Sequence, residues 1–513
     1  MPDALAAILL GVALTFAFAP YEIFPLAVIS TSGLLALWVK VSSSPKRAFW
    51  LGYLFGLGLF GAGVYWVFIS IHVIAEVPSF LAAIITIGMI AFLALYPALV
   101  GFFTNRYFPI NNTVKLVYAF PAIWLFSEWL RNFLFSGFPW LFLGYSQTNS
   151  PLKGYAPILS VFGVSLTVSL SGALLLNAYL KFKQQDYRAI YQNLFAFLVI
   201  WILGGLLSLI PWTKPEGGPI TVALVQGNIA QAMKWSPEHL QLSFDRYTQM
   251  TEPLWGKYDL IIWPEAAIPM PAQEAESFIN KMDDKAKTSH STLILGIPIK
   301  APVPGYFNAI AVFPRELNPN GNVYLKRRLV PFGEYTPFPQ FASKAFSFMN
   351  IPMSDMLPGD AAQPPLVINR TKILPSICYE VAFPDLIRTK DNTIGLLLTV
   401  TNDAWFGESN AQAQHLQMAS MRAMELARPL LFVSNDGITA IIDPNGRVTS
   451  SLPPRKISVL TGTVQPMYGL TPWMYNGTDP ILFIGLCLLF VAIRSNKRAA
   501  RTSKQFADSK TRS

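Results

Sequence analysis

The stretch Lys372-Ile-Leu-Pro-Ser-Ile-Cys-Tyr-Glu380 is an apolar run that predicts a β-strand ending in a turn at Cys378. In α/β enzymes, reactive groups are commonly presented where a strand runs into a loop. The only other cysteine, Cys487, lies in an apolar run near the C-terminus, so we expect no disulfide between the two. Taken alone, Cys378 could equally be an inert, buried small side chain.

Two polar groups follow predicted strands upstream. Tyr258-Asp-Leu-Ile-Ile-Trp-Pro-Glu265 ends in a glutamate, and 323–334 places Lys326 on a strand with Glu334 in the following turn. A carboxylate can take a thiol proton, the thiolate can attack a carbonyl, and an ammonium can stabilise the oxyanion. Singly, Glu265 and Lys326 would be ordinary surface charges. Together with Cys378, each behind its own strand, they indicate one acyl-transfer site.

The composition predicts a membrane protein. Of 513 residues, 52% are hydrophobic and 13% charged, whereas soluble domains average about 25% charged. Mean hydropathy is +0.39. We predict four parts: transmembrane helices 1–7 over 1–212, a catalytic α/β domain over 219–467, a last transmembrane helix over 473–494 and a basic cytoplasmic tail over 495–513.

Eight apolar stretches approach the roughly 20 residues that a bilayer requires. They lie at 4–20, 23–40, 48–71, 79–103, 116–135, 156–180, 189–211 and 473–493. Basic residues follow every second span, which by the positive-inside rule places both termini in the cytoplasm and the α/β domain outside. In a bacterium this predicts a multi-pass inner-membrane protein with a periplasmic catalytic domain. Trp473 and Tyr475 are predicted interface anchors of the short last span. Much of the net charge of +10 lies in these loops and the tail, so we predict no nucleic-acid partner.

Short β-branched runs predict strands in the α/β domain at 220–225, 259–263, 292–297, 309–313, 372–378, 395–400, 430–434 and 439–442. Amphipathic helices are predicted at 237–251, 272–289 and 411–427. Periodicity alone supports only an α/β class.

The chain resembles the nitrilase (carbon–nitrogen hydrolase) superfamily at four motifs: Trp263-Pro-Glu265, Lys326 with Leu329-Val-Pro-Phe-Gly-Glu334, Cys378-Tyr-Glu380 and Thr401-Asn-Asp-Ala-Trp-Phe-Gly407. It is more narrowly similar to the apolipoprotein N-acyltransferase family, the membrane-embedded bacterial branch. That narrower likeness comes from Glu128-Trp-Leu-Arg131, Ser136-Gly-Phe-Pro-Trp140 and Gly144-Tyr-Ser-Gln147. One departure is Arg328, where relatives commonly have His.

The resemblance implies a polytopic helical membrane domain joined to an α-β-β-α sandwich. It implies that Cys378 takes the sn-1 acyl chain of phosphatidylethanolamine as a thioester and passes it to the α-amino group of the S-diacylglyceryl cysteine at the N-terminus of an apolipoprotein. Glu265 would be the general base and Lys326 the oxyanion stabiliser. Glu334 and Glu380 would orient them.

Three aromatic residues near these motifs suit supporting roles. Tyr379, Trp235 and Trp405 are candidate supporting or substrate-binding residues, although each Trp could simply pack under a loop. We predict no cofactor and no metal, because His415 has no second ligand at useful spacing. The mixed Phe, Met, Pro and Ser sequence of 338–356 suggests an apolar lid near the bilayer.

Two alternatives remain open. A membrane-tethered amidase of the same superfamily would resolve the acyl-enzyme with water, although hydrolysis of a soluble amide needs no membrane scaffold. A transporter carrying a binding domain would need charges inside its spans. Glu128 and Arg131 are the candidates, but an i,i+3 pair can also satisfy itself.

Overall fold

The computed structural model describes residues 2–109, 112–234, 237–315, 323–335, 355–368 and 370–510. They form two compact units. The helical unit comprises Met1–Tyr65, Ala83–Ile210 and Asn476–Ser513, and the sheet unit comprises Trp66–Ala82 and Pro211–Tyr475. The predicted lid over 338–356 lies almost wholly outside the described residues, as does Trp235.

The helical unit is built from long apolar helices, several of which begin at a proline, where the missing N–H has no partner to lose. Their bounds are Pro2–Thr15, Pro25–Lys40, Pro45–Gly63, Ser79–Tyr107, Phe120–Arg131, Ala156–Lys183, Tyr187–Leu207 and Asp479–Lys510. A π-helical turn, Lys115–Ala119, leads directly into Phe120–Arg131. The helix that begins at Asp479 continues through most of the predicted tail.

Four described helices are long and apolar enough to cross a membrane: Ser79–Tyr107, Pro151–Lys183, Tyr187–Leu207 and Asp479–Arg498. A fifth candidate is the pair Pro45–Gly63 and Trp66–Ile74, which is bent by 51°. The predicted continuous span over 48–71 is therefore interrupted. Pro2–Thr15 and Pro25–Lys40 are apolar but shorter. By length and composition, the described residues hold four or five spanning helices.

Small residues bring two helices of this unit into backbone contact. A Cβ atom on Gly11 would lie 2.1 Å from the carbonyl oxygen of Phe55, and one on Gly58 would lie 2.2 Å from that of Ile8. Glycine at both positions therefore lets Pro2–Thr15 pack directly on Pro45–Gly63, as is common between membrane helices.

Glu128 and Arg131 bind the segment that follows their helix. Glu128 Oε1 accepts the indole N–H of Trp124 at 3.0 Å and the backbone N–H of Leu143 at 2.8 Å. Arg131 donates to the carbonyl of Trp140 at 2.9 Å. Arg131 thus holds Trp140 of the Gly-Phe-Pro-Trp motif, and Glu128 holds the backbone just after that motif. Because both charged groups have protein partners, the main support for a transport pathway is removed.

The sheet unit contains fourteen strands in its described part. They are β1 Lys214–Pro215, β2 Ile220–Gln226, β3 Leu260–Ile262, β4 Thr292–Lys300, β5 Tyr306–Phe313, β6 Val323–Leu325, β7 Leu366–Ile368, β8 Thr371–Ile377, β9 Ile394–Thr401, β10 Leu430–Ser434, β11 Thr439–Ile442, β12 Val448–Leu452, β13 Ser458–Val464 and β14 Met467–Tyr468. One six-stranded sheet has the order β12-β11-β10-β9-β8-β7 and the other β13-β2-β3-β4-β5-β6.

The two sheets pack face to face around a shared apolar core that includes Leu224 and Ile262 from one and Ile377, Leu398 and Val433 from the other. The helices Leu240–Thr251 and Glu276–Ser289 cover one outer face, and Ala411–Leu426 covers the other. This is the expected four-layer α-β-β-α sandwich. All eight predicted strands and all three predicted helices are present, with ends shifted by a few residues.

Parallel pairing at the centre of each sheet determines where the polar loops lie. Strands β2, β3 and β4 are parallel, as are β8, β9 and β10. The carboxyl ends of neighbouring parallel strands meet at one edge of a sheet, where ligands of open α/β sheets bind.

Trp473 differs from its predicted role. It is fully buried, at 0% exposure, and belongs to the apolar cluster under the helix Ala411–Leu426. It is therefore a core residue of the sheet unit and not an anchor at a membrane interface. Tyr475 is 63% exposed.

The segment Trp66–Ala82 packs on the turn that follows β9. The hydroxyl of Ser70 donates to the carbonyl of Trp405 at 2.5 Å, and the Trp66 ring meets the Phe406 ring edge-on with centroids 4.9 Å apart. Ser70 opens a π-helical turn, Ser70–Ile74, a form of helix that recurs at functional sites.

Candidate active site

A buried ammonium lies between two carboxylates at the edge of the β3–β6 sheet. Lys326 Nζ is 3.3 Å from Glu265 Oε1 and 2.8 Å from Glu334 Oε1, and its side chain is 1% exposed. Asn308 on β5 donates to the same two oxygens, at 2.7 Å and 3.1 Å. The structure thus brings together Glu265, Lys326 and Glu334. Lys326 follows β6 directly, and does not lie within the strand as predicted.

The carboxylates determine the charge state of Lys326. Burial alone would lower its pKa, but the negative charges of Glu265 and Glu334 raise that pKa well above its ordinary value. Lys326 therefore keeps its proton at neutral pH. It can stabilise a developing oxyanion but cannot act as a base.

Cys378 follows β8 in a strained turn. Its φ is +52°, a left-handed conformation that a non-glycine residue keeps only when its surroundings enforce it. Its side chain is 8% exposed. Burial and the charge of Glu265 raise the pKa of the thiol well above its ordinary value, against the opposing effects of the Lys326 charge and a hydrogen bond with the Thr401 side chain. The resting group is a thiol, so nucleophilic attack requires a base.

Glu380 joins the Cys378 turn to the chain around Lys326. One carboxylate oxygen accepts the backbone N–H of Ile377 at 2.7 Å and the Tyr324 hydroxyl at 2.9 Å. The other accepts the backbone N–H groups of Arg327, at 2.6 Å, and Arg328, at 3.1 Å. Burial raises the pKa of Glu380, although these N–H donors and nearby cations oppose the shift.

Glu265 has two further partners: Asn402, which lies in the motif of residues 401–407, and Lys234, which sequence reasoning missed. The backbone N–H of Asn402 donates to Glu265 Oε2 at 2.9 Å, and Lys234 Nζ donates to the Glu265 carbonyl oxygen at 2.9 Å. Burial lowers the pKa of Lys234 to about 8, despite the nearby charge of Glu265. With one Glu265 oxygen bound to Asn402 and the other to Asn308 and Lys326, the carboxylate has a fixed direction.

Two family models match the chain: "Apolipoprotein N-acyltransferase N-terminal domain" over residues 10–174 and "Carbon-nitrogen hydrolase" over residues 221–472. An apolipoprotein N-acyltransferase of Coxiella burnetii is 39% identical over 95% of this chain and 100% of its own length. One of Azotobacter vinelandii is 38% identical over 97% of this chain and 96% of its own. The chain belongs to the apolipoprotein N-acyltransferase family. It is therefore an acyltransferase, and its apolar helices accord with a membrane protein.

In this member of the apolipoprotein N-acyltransferase family, the predicted supporting residues Tyr379 and Trp405 lie in two different turns. Tyr379 follows Cys378, is half-buried, and packs edge-on against Phe383 with centroids 4.9 Å apart. Trp405 is half-buried in the turn after β9, and its carbonyl accepts the Ser70 hydroxyl. The same turn supplies Asn402 to Glu265, so it borders the site.

The missed residues carried a weak sequence signal. Asn308 is a single polar residue inside an apolar strand, and Lys234 precedes the candidate Trp235. Polar residues in such contexts are retained only when hydrogen-bonded. Among the described residues, no group of three or more His, Cys, Asp or Glu side chains is arranged to hold a metal. The absence of a cofactor stays a prediction.

Proposed function

We propose that this chain transfers an acyl chain from a phospholipid to Cys378 and then to the α-amino group of the N-terminal S-diacylglyceryl cysteine of an apolipoprotein. The proposed donor is phosphatidylethanolamine, through its sn-1 chain, as the family resemblance implies. The observation that carries the proposal is the buried contact of Lys326 with Glu265 and Glu334. The charges of Lys326 and Glu265 in this contact also act on the thiol of Cys378. Base, cation and nucleophile are the groups that acyl transfer needs.

In the first half-reaction, Glu265 takes the proton of the Cys378 thiol as the sulfur attacks the ester carbonyl. The C=O bond opens to an oxyanion, which the Lys326 ammonium stabilises. Collapse breaks the ester C–O bond, and the departing glycerol oxygen takes the proton from Glu265. The products are a thioester on Cys378 and a lysophospholipid.

In the second half-reaction, the uncharged α-amine of the lipoprotein attacks the thioester. Glu265 accepts a proton from the amine, Lys326 again stabilises the oxyanion, and collapse breaks the C–S bond. The thiolate of Cys378 regains the proton, and the product is an amide. A thioester that waits for its acceptor makes this a ping-pong reaction.

The membrane setting is part of the proposal. We propose eight spans, with the apolar helices of 1–212 and the helix from Asp479 to residue 494 in the bilayer, 219–467 as a periplasmic catalytic domain, and both termini, with the tail 495–513, in the cytoplasm of a bacterial inner-membrane protein. The Lys and Arg residues that follow every second apolar stretch support this orientation. A lipid donor and a lipid-modified acceptor would both reach such a domain from the bilayer.

Intact-mass measurement of the purified protein tests the proposal. Incubation with phosphatidylethanolamine alone should add one acyl chain, removable by hydroxylamine. Addition of a diacylglyceryl-cysteine peptide should then remove the acyl chain from the protein and increase the mass of the peptide by the same amount. Cys378→Ala should acquire no mass, whereas Cys487→Ala, at an exposed position, should behave as the wild type.

The membrane-tethered amidase is the alternative that this experiment separates. In that case water would resolve the thioester, and free fatty acid would accumulate steadily without any acceptor. Acyl transfer requires the thioester to persist until the amine arrives. Continuous release of fatty acid in the absence of the peptide would contradict the acyltransferase proposal.

A further inference from the structure

His415 lies between the backbone of Cys378 and a buried carboxylate. It is on the helix Ala411–Leu426 and is fully buried. Its Nε2 is 3.1 Å from the carbonyl oxygen of Cys378, and its Nδ1 is 3.0 Å from Asp403 Oδ1. A carbonyl oxygen only accepts hydrogen bonds, so Nε2 must carry a proton and donate it.

The contact with Asp403 continues to a third side chain. Asp403 Oδ1 also accepts the hydroxyl of Thr401 at 2.8 Å. A chain of hydrogen bonds thus runs from the Cys378 carbonyl through His415 and Asp403 to Thr401, at the end of β9.

Neighbouring aromatic rings hold the imidazole in this orientation. Phe406 meets it edge-on with centroids 5.7 Å apart, and Phe432 does the same from β10 at 5.2 Å. Both ring nitrogens are already engaged, one with Cys378 and one with Asp403. His415 is therefore poorly placed to take the thiol proton, and a Cys–His pair of the protease kind does not describe this site.

We infer that His415 is a positioning residue, whose Nε2–H holds the carbonyl of Cys378 and thereby keeps the left-handed turn that aims the thiol. Such a φ is retained only where surrounding contacts enforce it. Glu380 binds the N–H of Ile377 on one side of the nucleophile, and His415 binds the carbonyl on the other. The inference rests on Cys378 being the nucleophile proposed above.

A pair of substitutions separates this role from a merely structural one. Gln can place an amide N–H near the position of Nε2 and so reach the Cys378 carbonyl. Asn instead mimics Nδ1 and reaches only Asp403. We expect His415→Asn to lower the first-order rate of thioester formation by about 10²-fold, the cost of misplacing a reacting group by about 1 Å. His415→Gln should form the thioester about tenfold faster than His415→Asn does, because a single hydrogen bond contributes at most about that factor.

The donor concentration at half-maximal rate should stay at its wild-type value in both variants, because His415 contacts the nucleophile and not the lipid. Melting temperatures in detergent should match between the two variants. Equal rates of thioester formation by His415→Gln and His415→Asn, or a faster His415→Asn, would overturn the inference. That result is expected if His415 only fills space or only pairs with Asp403.

A second measurement needs neither a variant of His415 nor turnover. The chain has four histidines, so selective ¹⁵N-histidine labelling gives few signals, and substitutions at His72, His239 and His290 assign them. We expect the ring of His415 to carry a proton on Nε2. An unprotonated Nε2 would exclude donation to Cys378. If the wild type forms no thioester but shows this signature, the proposed function fails and the positioning contact stands.

Discussion

The carboxylate of Glu380 accepts the backbone N–H of Arg327 at 2.6 Å, which ties the turn of Cys378 to the residue beside Lys326. The two segments belong to different sheets, since Lys326 follows β6 and Cys378 follows β8. A single buried carboxylate therefore maintains the spacing between the ammonium and the thiol.

Glu380→Gln should destabilise the protein and slow thioester formation. An amide offers one acceptor oxygen where the carboxylate offers two, so at least one of the N–H groups of Ile377, Arg327 and Arg328 loses its acceptor. An unsatisfied buried donor costs about 1–3 kcal/mol. Thermal melting in detergent checks the stability, and intact mass against time checks acylation.

Glu274→Gln is the matched control, because Glu274 forms an exposed ion pair with Lys300. Exposed pairs contribute about 0–1 kcal/mol, so this variant should melt and react nearly as the wild type does. If Glu380→Gln melted and acquired the acyl chain as the wild type does, the hydrogen bonds of Glu380 would have no role in spacing Lys326 and Cys378.

Lys326→Ala should lower the rate of acyl transfer by about 10²–10³-fold, the usual loss for one oxyanion donor. It should also lower the melting temperature, because Glu265 and Glu334 would lose their buried cation. Lys300→Ala, at an exposed lysine, serves as the control. If Lys326→Ala kept wild-type turnover, the ammonium would have no part in the chemistry.

Asp436 predicts a pH-dependent stability. Burial and the charge of Asp403 raise its pKa from 3.8 to about 7, against the opposing charge of Lys234. At a pH between these two pKa values, Asp436 is protonated in the folded protein and ionised in the unfolded chain. Its contribution to the free energy of unfolding is therefore lost as the pH rises toward 7. Asp436→Asn should therefore melt above the wild type at pH 8, and the difference should shrink at pH 5.

Asp245→Asn, at an exposed carboxylate, is the control for loss of a negative charge. A constant gap between Asp436→Asn and the wild type from pH 5 to 8 would mean that Asp436 does not titrate in this range.

Reporter fusions test the proposed orientation. A reporter after Arg494 should be cytoplasmic and one inserted near Pro215 should be external, because the basic loops follow alternate spans. Accessibility of the Pro215 site only from the cytoplasm would contradict both the span count and the periplasmic catalytic domain.

Apolar runs sufficed to predict eight strands of the sandwich and the strand ends that carry Glu265 and Cys378, whereas β7, β12 and β13 were not predicted. Hydrogen bonds between distant segments did not follow from the sequence. Asn402 reaches Glu265 across 137 residues, and His415 reaches Cys378 across 37. Such contacts depend on how two sheets pack, which local pattern does not encode.

Hydropathy also failed at two boundaries of the helical part. The predicted span over 48–71 ignores the 51° bend after Gly63, because both sides of the bend are equally apolar. Trp473 suited a membrane interface by its residue type, yet the apolar underside of the helix Ala411–Leu426 buries it. Residue type predicts that a side chain is removed from water, but it does not predict whether lipid or protein buries it.

The sheet unit takes the segment Trp66–Ala82 from the first half of the chain. A fragment cut at Pro211 would lack Trp66 and Ser70, leaving the ring of Phe406 and the carbonyl of Trp405 without these partners. The turn that would be stripped also supplies Asn402 to Glu265. Trimming away the hydrophobic half to obtain a soluble fragment would thus disturb Glu265, the proposed general base, and we expect any such fragment to need Trp66–Ala82.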